Sequence, residues 1–155
     1  MNYETALVQL PLVRETAKQR IVTPESVYQA CADIANLAQE CFQILCLNTR
    51  NALINRHLVT LGLVDASLVH PREVFRAAIG DGAAAVVLVH NHPSGDATPS
   101  AEDLRITRQL IEAGKIVDIK VLDHVVIGRS VEPTGEQSGR AAFLSLRESG
   151  LCSFT

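Results

Sequence analysis

The chain has 155 residues, 47% of them hydrophobic and 20% charged, which fits one globular domain with a sizeable apolar core. A net charge of −3, no Trp, two Tyr and four Phe leave neither a basic stripe for nucleic acid nor many platforms for stacking bases. No run approaches the ~20 apolar residues that span a bilayer, so no membrane partner is expected.

The four cysteines, Cys31, Cys41, Cys46 and Cys152, form no Cys-x-x-Cys pair, and no apolar leader precedes them. They read as small buried hydrophobes of a reduced, cytoplasmic protein. Residues 1–22 read as an extension in which Ala6 to Leu10 alternate like an edge strand stopped by Pro11. Residues 23–155 read as one further unit.

Thr23-Pro24-Glu25 gives a helix start: a hydroxyl N-cap, proline in the first position and an acid in the first turn. Val27, Ala30, Cys31, Ile34 and Leu37 follow at helical spacing, which predicts a helix to about Gln39. Residues 41–48 and 53–62 are apolar, β-prone runs joined by a turn at Thr49-Arg50-Asn51. A second helix is predicted from His70-Pro71 to Gly80, then a strand over Ala83 to Val89 whose unbroken apolar run suits burial on both faces. A third helix runs from Ala101 to about Ala113. Residues 116–121 and 124–127 read as two further strands, and 143–150 as a closing strand or turn. Residues 129–140 are polar and Gly/Pro-bearing, as in an exposed loop. The order of elements predicts an α/β fold, a mixed sheet with helices packed on it. No Gly-rich phosphate-binding string is present.

The chemistry concentrates where the buried strand ends. His90 and His92 are two residues apart, so at a strand terminus both imidazoles project to one side and can face one ion. The turn-rich stretch from Pro93 to Pro99 brings the chain back, and Asp103 then falls in the first turn of the next helix. Two imidazoles and a carboxylate leave a tetrahedral position for water, the mark of a catalytic zinc site. Ser100-x-x-Asp103 is equally a capping box, with the hydroxyl and the acid satisfying each other's amides; Ser100 can cap the helix and still face the site.

His90-x-His92, seven residues, Ser100, two residues and Asp103 resemble the JAMM motif of JAB/MPN-domain metalloproteases. The string HNHPSGDATPS is similar to the RadC branch of that superfamily. The resemblance extends to Pro71 through Phe75, to residues 122–128 (LDHVVIG) and to residues 143–150 (FLSLRESG). It implies a single mixed-sheet JAB/MPN-like domain of cytidine-deaminase-like architecture, one Zn2+ held by His90, His92 and Asp103, and a peptide or protein substrate. It also implies that Glu40 is the general base and that Ser100 donates a hydrogen bond to the developing oxyanion. From the residues alone, Glu40 reads as a solvated acid at the end of the first helix, a place the helix dipole disfavours.

The implied reaction is hydrolysis of an amide, peptide or isopeptide bond by a metal-activated water. The alternatives are a DNA-repair or DNA-processing accessory, the role attached to the RadC name, and a non-catalytic MPN scaffold. The chain's acidity and the lack of a helix-hairpin-helix segment weigh against direct DNA contact, and an intact ligand set weighs against a scaffold. The letters His-Asn-His do not make an HNH nuclease, whose residues are spread over a ββα finger. A zinc deaminase would need His-x-Glu and Pro-Cys-x-x-Cys, which are absent. His124 reads either as an outer-shell partner of a ligand or as a strand-end histidine. Asn91 is expected to point away from the ion, Ser94 and Asp96 to shape the loop, and His57 and His70 to be surface or cap residues.

Overall fold

The computed structural model describes residues 19–62, 69–131 and 141–155. The strand expected at Ala6 to Leu10 and residues 132–140 of the expected loop lie outside the described residues. The first helix, α1, spans Pro24–Cys31 and is followed by a 3-10 turn, Ala32–Ile34. Thr23 caps it as its hydroxyl pattern predicts, in a reciprocal box with Ser26. The helix ends well short of Gln39, because the Ala30 carbonyl accepts a hydrogen bond from the Arg56 guanidinium at 2.9 Å. The same guanidinium pairs with both oxygens of Asp33 at 2.9 Å, and this pairing holds the Asp33 carboxyl below its ordinary range. Leu37, the last residue of the expected apolar stripe, is exposed. Glu40 therefore lies beyond any helix terminus, and the dipole argument against an acid there does not apply.

Five strands form one sheet in the order β2-β1-β3-β4-β5. These are β1 (Cys41–Leu47), β2 (Leu53–Leu61), β3 (Ala85–Asn91), β4 (Lys120–Ile127) and β5 (Phe143–Ser145). The β3–β4 pair is parallel and the other pairs are antiparallel. That mixed sheet with flanking helices is the α/β class the sequence predicts. β1 and β3 are buried along their whole length, since they separate two apolar layers. Phe42, Ile44, Cys46, Val86 and Leu88 face α2 (Pro71–Gly80) and α3 (Ala101–Val117). Leu45, Leu47, Val87 and Val89 face α1.

Three further boundaries differ from expectation. β3 extends through His90 and Asn91, which pair with Val126 and Ile127 of β4, so the first histidine belongs to the strand and not to the loop after it. α3 runs to Val117 and closes on Asp118 in the left-handed conformation (φ 56°), with the Ile119 amide bonded to the Gly114 carbonyl. Residues 116 and 117 therefore belong to this helix. β4 is one strand and not two, because both members of the polar pair at its centre find buried partners: Asp123 accepts from Ser145 Oγ at 2.6 Å, and His124 turns to the opposite face. No helix among the described residues is long and apolar enough to cross a membrane.

α3 lies close on the sheet at Gly114. A Cβ there would stand 2.5 Å from the Ile119 carbonyl oxygen and 3.3 Å from both Phe75 and Val121. Gly114→Ala is expected to destabilise the domain by about 1–3 kcal/mol, the usual cost of overpacking a core. Urea unfolding checks this; an unchanged midpoint would show that the helix can lift off without penalty.

Candidate metal centre

β3 and α3 form the parallel crossover in which ligands bind beyond the carboxyl ends of strands. β3 delivers His90, its last residue but one, into the interior facing Asp103 of α3, and His92 follows one residue past the strand. The loop from His92 to Ser100 is pinned at its start by the His92 amide on the Ile127 carbonyl, at 2.9 Å. Arg129 fastens it further, its amide donating to the Gly95 carbonyl at 2.8 Å and its guanidinium to the Pro93 carbonyl at 2.9 Å. Ser94 and Asp96 shape the loop as expected, through Ser94 Oγ accepting the Asp96 amide and Asp96 Oδ1 accepting the Thr98 amide. Gly128 permits the close approach, since a Cβ there would meet the Gly95 carbonyl oxygen at 2.3 Å.

Ser100 and Asp103 form the capping box at the start of α3. Ser100 Oγ accepts the Asp103 amide at 3.1 Å, and the Ser100 amide donates to Asp103 Oδ2 at 2.7 Å. The same carboxylate reaches both histidines: Oδ1 lies 3.3 Å from His90 Nε2 and Oδ2 3.2 Å from His92 Nε2. One carboxylate thus closes the capping box and faces both imidazoles. Among the described residues the Ser100 hydroxyl accepts a bond and donates none, and its side chain is exposed.

Hydrogen bonding sets the tautomer of each ring. The Thr107 hydroxyl donates to the Asp103 carbonyl at 2.6 Å, so its oxygen can only accept from His124 Nδ1, 2.5 Å away. His124 is wholly buried, and desolvation, with the neighbouring His90, lowers its pKa well below the usual imidazole value. It is therefore neutral, and its Nε2 accepts from His90 Nδ1 at 2.8 Å. That leaves His90 Nε2 with a bare lone pair. His92 Nδ1 donates to the Asp96 carbonyl at 2.7 Å, which leaves its Nε2 bare as well.

The two bare nitrogens stand 2.9 Å apart beside a buried carboxylate. Lone pairs so placed call for a cation between them. Zinc–nitrogen bonds of about 2.0–2.1 Å imply tetrahedral edges of about 3.3 Å, against the 2.9, 3.2 and 3.3 Å found here. The donor set therefore fits a divalent transition ion. A proton satisfies the same geometry: burial disfavours charge on His92, yet Asp103 and the Asp96 carbonyl raise its pKa on balance. Asp103 is likewise disfavoured by burial, but the two imidazoles and the Ser100 amide hold its carboxyl far below the usual range.

Glu40 joins the group from the segment before β1, its Oε1 3.8 Å from His90 Nε2 and its side chain a quarter exposed. Burial raises its pKa, against the lowering influence of the two histidines. Its position depends on Asn91, which from the sequence is expected to point away from the ion. Asn91 does so, and its side chain accepts the Cys41 amide at 2.7 Å and donates to the Gln39 carbonyl at 3.0 Å, gripping both neighbours of Glu40. His124, the other polar residue left open by the sequence, stands behind His90 and is hydrogen-bonded to it. Thr107, and Phe42 whose ring packs against His90 and His124, carry no mark in the sequence beyond the helical spacing of Thr107 from Asp103.

Two outcomes follow from these contacts. Asn91→Ala strands the buried Cys41 amide, and urea unfolding should show a loss of about 1–3 kcal/mol. His124 has a folded pKa below its unfolded value, so its contribution to stability is complete above about pH 6.5 and declines as the pH falls from there toward the folded pKa. In chelator-treated protein, His124→Gln should therefore flatten the decline of stability between about pH 6.5 and 5, by at most about 1.4 kcal/mol per pH unit. Parallel curves for the two proteins would show that the ring titrates normally.

The sequence profile of the RadC-like JAB domain matches residues 21–150. The UPF0758 protein of Caldanaerobacter subterraneus is 44% identical over 135 residues, covering 86% of this chain and 53% of its own length. That of Listeria monocytogenes is 43% identical over 143 residues, covering 92% of this chain and 59% of its own. A Syntrophomonas wolfei UPF0758 protein reaches 49% over 113 residues, 70% of this chain and 48% of its own length. The chain thus spans about half the length of the curated relatives it matches. With a match of this extent running through the strand, loop and helix that bring the two histidines and Asp103 together, the chain belongs to the RadC-like JAB domain family.

Proposed function

We propose that this chain is a metal-dependent hydrolase of peptide, isopeptide or related amide bonds, with one zinc ion held by His90, His92 and Asp103. The observation that carries the proposal is the pair of bare imidazole nitrogens facing a buried carboxylate, with a further acid just outside the ligand set. When bound there, such an ion supplies Lewis acidity and makes water a nucleophile near neutral pH.

Glu40 takes the proton that water loses and hands it to the leaving amine. Its partial burial suits that double duty, because a carboxyl raised toward the working pH both accepts and donates. Ser100, with a hydroxyl hydrogen not committed within the described residues, donates to the carbonyl oxygen as charge develops on it. The buried floor of His90, Asp103 and His124 keeps water away from the inner side, while His92 and Glu40 leave the outer side open to a substrate. That substrate is a peptide or protein presenting an extended amide.

Elemental analysis of the purified chain checks the ligand set: His92→Ala should hold one zinc fewer than wild type. Glu40→Gln should keep its zinc and lose about 10²–10⁴-fold in hydrolysis of a confirmed substrate. Full hydrolysis by that variant would sink the base assignment. Absence of hydrolysis across a peptide library, together with salt-sensitive binding of duplex DNA, would favour a DNA-processing accessory instead.

A further inference from the structure

A second cluster of metal-ligating side chains lies at the other end of the sheet. Cys46 of β1, His57 of β2 and Asp81 at the C-terminal cap of α2 bring a sulfur, an imidazole nitrogen and a carboxylate oxygen within 4.8 Å of one another. Phe42 faces His90 and Cys46 faces Val86. The cluster is therefore four residues along β1 from the first centre, about 13 Å at the rise of a strand, and on the same sheet face. The three residues are far apart in sequence and meet only because β1, β2 and the end of α2 converge.

Several features distinguish this cluster from an ordinary ion pair. His57 Nε2 lies 2.6 Å from Asp81 Oδ2, and the Cys46 thiol, with no exposed surface, faces the same carboxylate. Asp81 caps the negative end of a helix, where a carboxylate is disfavoured unless a cation is near. The His57 and Asp81 side chains remain 30% and 16% exposed, so the cluster has a buried sulfur floor and a wet outer side by which an ion can enter. Thiolate, imidazole and carboxylate together select a borderline-soft ion such as zinc or cobalt over magnesium or calcium.

We propose that Cys46, His57 and Asp81 form a second divalent transition-metal site, a clamp that ties β2 and the end of α2 to β1. In the metal-free protein, burial and the neighbouring Asp81 push the Cys46 thiol up to about 12, so the sulfur keeps its proton. On binding, the metal–sulfur bond forms as the S–H bond breaks, and the proton leaves to solvent. Asp81 and His57 part from their 2.6 Å contact to tetrahedral-edge separation, about 3.3 Å. The site does not depend on hydrolysis at the first centre.

Cobalt(II) titration of the full chain tests it, because a cobalt–thiolate bond gives a sulfur-to-metal charge-transfer band and the first centre contains no sulfur. Wild type should take up two equivalents and show the band. His92→Ala should keep the band, and its melting temperature should rise with added cobalt. Cys46→Ser should lose the band and one equivalent while its circular dichroism stays native. If that core variant does not fold, His57→Gln serves, with a loss of cobalt affinity beyond the about 10–100-fold that an outer-shell partner costs. A folded wild type saturated with cobalt yet lacking the band, or a band that survives Cys46→Ser, overturns the proposal.

Discussion

The 2.9 Å approach of His90 and His92 through their Nε2 atoms is the constraint around which the neighbouring structure is arranged. For both inner nitrogens to present lone pairs, both outer nitrogens have to carry hydrogen, and each outer hydrogen needs a fixed acceptor. His92 finds one in the Asp96 carbonyl, which fixes how the loop turns after β3. His90 finds one in His124, which must itself be neutral and oriented, and that demand reaches Thr107 on α3. A sequence of donors and acceptors thus runs from a helix backbone carbonyl, through a hydroxyl and two rings, to a single lone pair.

The sheet supplies the rigidity this arrangement needs. His90 and His124 stand on adjacent parallel strands, with Phe42 of β1 walling the opposite side. Burying two imidazoles, His90 and His124, in an apolar layer is costly unless every hydrogen bond is made. Among the described residues no buried side-chain polar atom lacks a partner. Asp123, one residue before His124, shows the same economy on the other sheet face: it receives the His124 amide, Ser145 and the Arg147 amide, and so ties β5 and the following turn to the strand that carries the ring.

Asp103 combines two roles that are usually separate. As the third residue of α3 it completes a capping box and sits where the helix dipole favours negative charge. As a buried acceptor it faces both imidazoles. The capping bonds hold the carboxylate in one orientation, so little rotamer freedom is left to it. Asn91 performs a comparable service for Glu40 by holding the backbone on either side of it, although the acid itself belongs to no regular element.

Local pattern determined a good part of this. The unbroken apolar run before His90 marked a strand covered on both faces, Thr23-Pro24 and Ser100-x-x-Asp103 marked helix starts, and the spacing of His90, His92 and Asp103 marked three side chains that the fold brings together. These signals are legible because strand alternation, helix capping and short loops act over a few residues. The resemblance of the motif to JAB/MPN proteins added Glu40, which nothing in its immediate neighbours singles out. What the sequence left open was decided by strand register and by side chains competing for backbone groups. Arg56 ended the first helix early by claiming the Ala30 carbonyl, and β3–β4 pairing carried the strand through His90 and Asn91. The same long-range packing set His124 behind His90, turned Asn91 onto the flanks of Glu40, and brought Cys46, His57 and Asp81 together. A single chain segment cannot specify such meetings, because each depends on which residue of a distant strand or helix lies opposite.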